Sequence, residues 1–257
     1  MDSEKKLAVL IDAENISGRY IKYILDEISK YGVPTYKRIY GDWSSPQMNS
    51  WKSVLLEYSI IPVQQYHYTT GKNATDSALI IDAMDILYSG NVEGFCLVSS
   101  DSDFTRLAAR LRESGSLVIG FGERKTPSAF ISSCNKFVYI EVLMDPENAE
   151  MPLSADEETK TEPVNGLSNK NAIIASINSI LKDLGDDQGW VFLGSVGGIL
   201  SKRHPDFDVR NYGSRSLTDF VQKLKKFDIE TRQTKNPRIK HTYIRIKQTG
   251  KAAKATE

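Results

Sequence analysis

Two hydrophobic periods alternate along the front half of the chain. Leu7–Ile11 is a continuous apolar run, short enough for a parallel strand buried on both faces. The polar stretch Asp12–Asn15 reads as a turn or cap. Ile21, Ile24, Leu25 and Ile28 then recur at the i, i+3, i+4, i+7 spacing of an amphipathic helix, and Gly32 and Pro34 predict its end. Tyr36–Tyr40 predicts a second strand, Met48–Glu57 a helix and Ile60–Gln64 a third strand. Ile80, Ala83, Met84 and Leu87 mark a helix starting near Asp76. Phe95–Val98 predicts a strand, and Phe104, Leu107, Ala108 and Leu111 mark a helix closed by Gly115. A strand at Leu117–Phe121, a short helix at Ser128–Cys134 and a last strand at Phe137–Ile140 complete the series. Strands alternating with helices imply βαβ units, hence an α/β fold with a mostly parallel sheet covered on both faces. Residues 1–144 suffice to bury such a core.

The pattern breaks over residues 145–167, where prolines and acidic residues follow no period, as in a flexible linker. A second module is expected over residues 168–247. Ile173, Ile177, Ile180, Leu181 and Leu184 mark one helix, Leu193, Val196 and Leu200 a second, and Leu217, Phe220, Val221 and Leu224 a third. Ile229–Gln233 and Tyr243–Lys247 read as two strands joined by a basic loop. Three helices followed by a basic hairpin is the order of a small winged-helix-like α+β domain. Residues 248–257 read as a frayed tail.

Charge sharpens this division. The chain carries 33 Lys and Arg against 33 Asp and Glu, yet residues 1–150 hold 15 basic and 20 acidic side chains, whereas residues 165–257 hold 17 and 9. An acidic front and a basic rear suggest modules with different tasks, the rear facing nucleic acid or another anionic surface. No apolar run approaches the roughly 18–20 residues of a membrane span, and the opening Met1–Lys6 has no secretory pattern. The two cysteines, Cys96 and Cys134, lie in or beside apolar segments, which argues against a disulfide framework and fits a reducing cytoplasm.

Asp12 ends the first strand, Asp76 opens a helix, and Asp101 and Asp103 follow the strand Phe95–Val98. In an open α/β sheet, functional groups gather beyond the carboxyl ends of the strands. Clustered carboxylates raise one another's pKa, and a divalent cation removes that cost. With no His or Cys cluster of zinc spacing and only three histidines in the chain, the expected ion is Mg²⁺ or Mn²⁺. Each acid taken singly also fits a helix cap, and Asn15 suits either a cap or a hydrogen bond to a metal-bound water or a phosphate. Asp82, six residues past Asp76, faces about 240° round the helix and is a weaker member. A dinucleotide fingerprint, a P-loop and a nucleophile elbow are all missing from the sequence.

The runs Leu10–Asn15, Lys72–Met84 and Ser99–Phe104 together resemble the NYN domain, the LabA-like branch of the PIN-like nuclease superfamily. The resemblance covers about residues 5–143. It implies a PIN-like, Rossmannoid fold and a metal-dependent ribonuclease whose acidic positions fall on Asp12, Asp76, Asp101 and Asp103, with Asn15 as the accompanying amide. Asp82 also matches an acidic position of the family. Leu193–Leu200, Pro205–Asp208 and Tyr212–Leu217 with Phe220 resemble an OST-HTH/LOTUS domain, which implies RNA binding or contact with a protein partner. The candidate RNA contacts are Lys202, Arg203, Arg210 and Arg215 beside the helices, and Lys235, Arg238 and Lys240 in the hairpin loop, where a wing would track phosphates. Tyr212 offers a stacking face or, equally, core packing. The leading reading is a ribonuclease with an RNA-binding rear domain. The alternative is a non-catalytic RNA-binding or regulatory adaptor. A phosphatase or DNA nuclease using the same carboxylates is weaker.

Overall fold

The structure, a computed structural model, describes residues 4–65, 74–144, 169–233 and 240–247. The proposed linker 145–167, the tail 248–257, and Lys235 and Arg238 lie outside the described residues. The chain divides into two compact units, Met1–Leu167 and Ser168–Glu257.

The first unit is a six-stranded, all-parallel sheet. In chain order it comprises β1 (Lys6–Asp12), α1 (Ile21–Ile28), β2 (Val33–Gly41), α2 (Lys52–Tyr58), β3 (Ile61–Gln64), α3 (Ala74–Ser89), β4 (Gly94–Val98), α4 (Thr105–Glu113), β5 (Leu117–Gly122), α5 (Ser128–Ser133), β6 (Lys136–Tyr139) and α6 (Glu141–Met144). The strand order is β3-β2-β1-β4-β5-β6. The chain winds outward from β1 to β3, crosses back, and continues from β4 to β6, so the switch point lies between β1 and β4.

The apolar run of β1 is unbroken because both of its faces are covered. Leu7, Val9 and Ile11 pack with Ile21, Ile24 and Ile28 of α1 and with Trp51, whereas Ala8 and Leu10 pack on the other side with Leu79 and Ala83 of α3 and with Leu107 of α4. Gly32 ends the turn after α1 for a steric reason. A Cβ there would lie 2.2 Å from the Lys5 carbonyl oxygen, which accepts the Val33 amide at 2.8 Å to start the β1–β2 pairing. Gly122 does the same at the far end of β5, where a Cβ would lie 2.7 Å from the Ser99 carbonyl. Cys96 and Cys134 are free thiols, and burial pushes both above their ordinary range, as for unreactive core residues.

The second unit is α7 (Lys170–Leu184), β7 (Val191–Phe192), α8 (Leu193–Arg203), α9 (Leu217–Leu224), β8 (Phe227–Gln233) and β9 (Lys240–Ile246). The sheet is antiparallel in the order β7-β9-β8. The sequence predicts a two-stranded hairpin; the structure adds β7, two residues long and too short for any periodicity. The helices enclose one core around Ile173, Ile177, Val196, Leu200, Phe220 and Ile244. Among the described residues no helix is long and apolar enough to cross a membrane.

Candidate active site

β1 and β4 are neighbours with Ile11 opposite Val98, so their carboxyl ends deliver Asp12 and the Ser99–Asp103 loop to one place. Asp12 is 1% exposed. One of its oxygens accepts from Ser99 Oγ and from Asn15 Nδ2, both at 2.7 Å, and the other accepts the Glu14 amide at 3.0 Å. Burial raises its pKa and outweighs these donors, which pull the other way. Asn15 therefore serves Asp12 and does not cap α1; the 3-10 turn before that helix is headed by Ser17, whose side chain makes no cap bond.

Ser99 does more than the sequence suggests. It is buried, donates to Asp12 and accepts the Asp101 amide at 3.1 Å, tying the two loops together. Asp101 caps the 3-10 turn Ser102–Phe104 by accepting the Asp103 amide at 2.9 Å. The capping role that Asp103 fits in sequence thus belongs to Asp101. Ser100 Oγ accepts the Glu123 amide at 2.9 Å and anchors the loop to the end of β5.

Asp76 reaches the same rim from the first turn of α3. One carboxylate oxygen each from Asp76, Asp101 and Asp103 lies within 4.8 Å of the other two. Asp76 is pushed up to about 6, first by burial and then by the charges of Asp12, Asp101, Asp103 and Glu14. Asp12 is the first of the charges that raise Asp76, although it lies outside the oxygen triad. The donors are all carboxylate oxygens, which suits a hard dication that keeps several waters.

Asp82 does not join them. It receives hydrogen bonds from Arg38 and Tyr40 of β2, and the Arg38 contact is an ion pair. It holds α3 against the sheet, which explains why an acid is needed at this position on a helix face turned away from Asp76. Asp85 is exposed.

In the second unit the expected basic contacts separate. Lys202, Arg215 and Lys240 are exposed. Arg203 bonds Ser179 Oγ at 3.3 Å and sits 3.8 Å from Asp183. Arg210 is clamped by Asp208 through its Nε and a terminal nitrogen, the latter at 2.6 Å. Tyr212 packs against Phe207 and Phe220, with ring centroids 6.1 and 5.1 Å away, so packing describes it better than stacking on a base. The sequence reading missed the outward face of the small sheet. There Phe192 stacks on His241 at 4.8 Å, Arg232 lies 4.5 Å over Tyr243, and Arg245 lies 4.6 Å over Trp190. The signal was the alternation His241, Tyr243, Arg245 opposite the inward Ile244.

The NYN domain model matches residues 6–141, and the OST-HTH/LOTUS domain model matches residues 168–239. No curated protein matches. Among solved structures, a protein of unknown function from Vibrio parahaemolyticus RIMD 2210633 is similar over 55% of this chain and 95% of its own, at 20% identity and a TM-score of 0.47. An uncharacterized protein of Nitrosomonas europaea, solved by NMR, is similar over 41% of this chain and 93% of its own, at 30% identity and a TM-score of 0.28. With both TM-scores below 0.5, neither likeness bears on function.

Proposed function

The chain belongs to the NYN family of PIN-like nucleases and carries an OST-HTH/LOTUS domain behind it; from that premise we propose that it is a Mg²⁺- or Mn²⁺-dependent ribonuclease whose rear domain, residues 168–247, holds the RNA. The observation that carries this reading is the convergence of the Asp76, Asp101 and Asp103 oxygens beside Asp12 at the switch point of the sheet. In it, Asp76, Asp101 and Asp103 hold the ion, with Asp12 and Asn15 completing the site. A bound dication supplies an acidified water and neutralises charge on the phosphodiester.

The chain's own residues supply the positioning. Ser99, Asn15 and the Glu14 amide fix the Asp12 carboxylate. The cap orients Asp101, and Asp82, held by Arg38 and Tyr40, sets the seat of α3 and hence of Asp76. The oxygen of a water bonds to phosphorus as one phosphorus–oxygen bond of the RNA backbone breaks, and a proton from that water goes to the leaving oxygen. The exposed Lys202, Arg215 and Lys240, together with Lys235 and Arg238, supply phosphate contacts that raise the local RNA concentration at the acidic site. A protein partner on the same domain is the competing use of those charges. A reducing cytoplasm suits the two unpaired thiols.

The test is cleavage of mixed single-stranded and structured RNA by the full chain with Mn²⁺ or with chelator. Asp12→Asn and Asp103→Asn are expected to lose at least about a hundredfold, the upper end for groups that merely support metal ligands. Equal cutting by wild type and both variants excludes this site. RNA binding without any cutting leaves the adaptor.

A further inference from the structure

Residues 1–150 hold six arginines, and four of them are occupied within the protein. Arg19 donates to the Tyr20 hydroxyl and lies over that ring, and Arg38 is paired with Asp82. Arg110 donates to the Tyr88 hydroxyl, and Arg112 to the Ser132 and Cys134 carbonyls. Arg106 and Arg124 differ. Both are exposed, and among the described residues neither guanidinium makes a hydrogen bond, an ion pair or a ring contact.

Both stand beside the acidic loop. Arg106 comes three residues after Asp103, in the first turn of α4, the helix that joins β4 to β5. A helical side chain leans over the turn N-terminal to its own Cα, which here is the turn that carries Asp103. Arg124 lies two residues past β5, the strand next to β4. Its backbone is fixed from both directions. The preceding Glu123 amide donates to Ser100 Oγ at 2.9 Å, and the Arg124 amide itself donates to Glu141 Oε1 at 2.8 Å. Acids adjoin both arginines in sequence yet form no ion pair with them; Glu123 takes Lys125 instead, at 2.6 Å. The two guanidiniums are therefore open to an anion from outside the protein.

The rim of the sheet is electrically uneven around the metal carboxylates. On the β2 side stand Glu14 and Asp42, which repel a phosphate, and on the β5 side stand Arg106 and Arg124, which attract one. An RNA strand carries a charge at every linkage, so the phosphate at the metal has charged neighbours. We propose that Arg106 and Arg124 hold the backbone phosphate that flanks the scissile one, and so lead the RNA away from the metal over the β4–β5 side. The guanidinium fork matches phosphate oxygens in pairs. The proposal rests on the ribonuclease reading and adds the path of the strand to it.

The test gives the full chain, with Mn²⁺, a short single-stranded RNA and a series of copies in which one linkage at a time is a neutral methylphosphonate. At one linkage beside the cut, loss of the charge is expected to lower kcat/KM about tenfold to a hundredfold, the range for hydrogen bonds to a charged group. The double variant Arg106→Gln with Arg124→Gln is expected to cut the unmodified RNA correspondingly less well and to distinguish that neutral linkage no longer. Its Mn²⁺-induced thermal stabilisation is expected to stay that of the wild type. RNA contacts of the rear domain are common to both proteins and drop out of the comparison. A wild type indifferent to every neutral linkage beside the cut, or a double variant that discriminates as the wild type does, overturns the arginine pair. If no RNA is cut, the ribonuclease reading fails by itself, and fluorescence anisotropy with the same RNAs and Mn²⁺ decides the pair. A preference for one charged linkage that the wild type shows and the double variant lacks sustains it, and equal preference or none overturns it.

Discussion

Replacing Asp76 by Asn should stabilise the metal-free protein, because the wild-type carboxylate is held against neighbours that repel it. Its pKa rises from 3.8 to about 6, through burial and then through Asp12, Asp101, Asp103 and Glu14. Each tenfold change in proton affinity is worth about 1.4 kcal/mol, so the ceiling is about 3 kcal/mol. The group is only partly buried, and solvent screening cuts that to about 1.5 kcal/mol. Losing a negative charge from the first turn of α3 costs about 0.5 kcal/mol. The net gain is about 1 kcal/mol, or about 3 °C in Tm for a domain of this size. The pH dependence follows from the direction of the shift. A raised folded-state pKa means the wild type has this contribution in full below 3.8 and loses it as pH rises through about 6. Asp76→Asn should therefore be the more stable protein at pH 7.5 in chelator, with the gap closing as pH falls from 6 to 4. Saturating Mn²⁺ reverses the order, since a ligand at a hundred times its Kd adds about 2.7 kcal/mol to the wild type alone. Thermal melts of both proteins, with and without Mn²⁺, provide the assay. A less stable Asp76→Asn at pH 7.5 in chelator, or an equal Mn²⁺ gain in both proteins, would refute the reasoning.

Mn²⁺ affinity of the wild type should weaken by about tenfold per pH unit below about 6, where a proton competes for Asp76; calorimetric titration across that range reads it, and a flat profile contradicts it. Ser99→Ala removes the donor to Asp12 and the acceptor for the Asp101 amide, so denaturant unfolding should show a loss of about 2 kcal/mol together with weaker Mn²⁺ binding. Asp82→Asn breaks the pair with Arg38 and should cost about 2 kcal/mol, less than a fully buried pair, while weakening the Mn²⁺ response; a response identical to wild type would contradict its part in seating Asp76. In salt titrations of RNA binding, Lys240→Gln should lower the salt slope by about one, whereas Arg210→Ala, already neutralised by Asp208, should leave the slope in place.

The fold of the front unit was legible because each strand is either a short apolar run or lies between two helical stripes, and β1 in particular is buried on both faces. What escaped was whatever depends on partners distant in sequence or on pieces too short to repeat. β7 has two residues. The pairing of Asp82 with Arg38 spans 44 positions, so helix geometry could say only that Asp82 points away from Asp76. Asp12, Asp76, Asp101 and Asp103 could be picked out because strand ends and helix starts are visible in sequence, but the supporting hydroxyl of Ser99 was not. A serine after a strand carries no periodic signal, and its role exists only once β1 and β4 are adjacent. Charge alone does not show pairing in the rear unit. Arg210 counts as a cation in composition, yet a carboxylate two residues away neutralises it.

A Mn²⁺-soaked crystal, read by anomalous scattering, tests the central claim most directly. The account predicts a peak enclosed by the carboxylates of Asp76, Asp101 and Asp103 beside Asp12, and no peak there in Asp103→Asn at the same Mn²⁺ concentration. A wild-type crystal with no density at that position, or with its ion bound elsewhere, would contradict it.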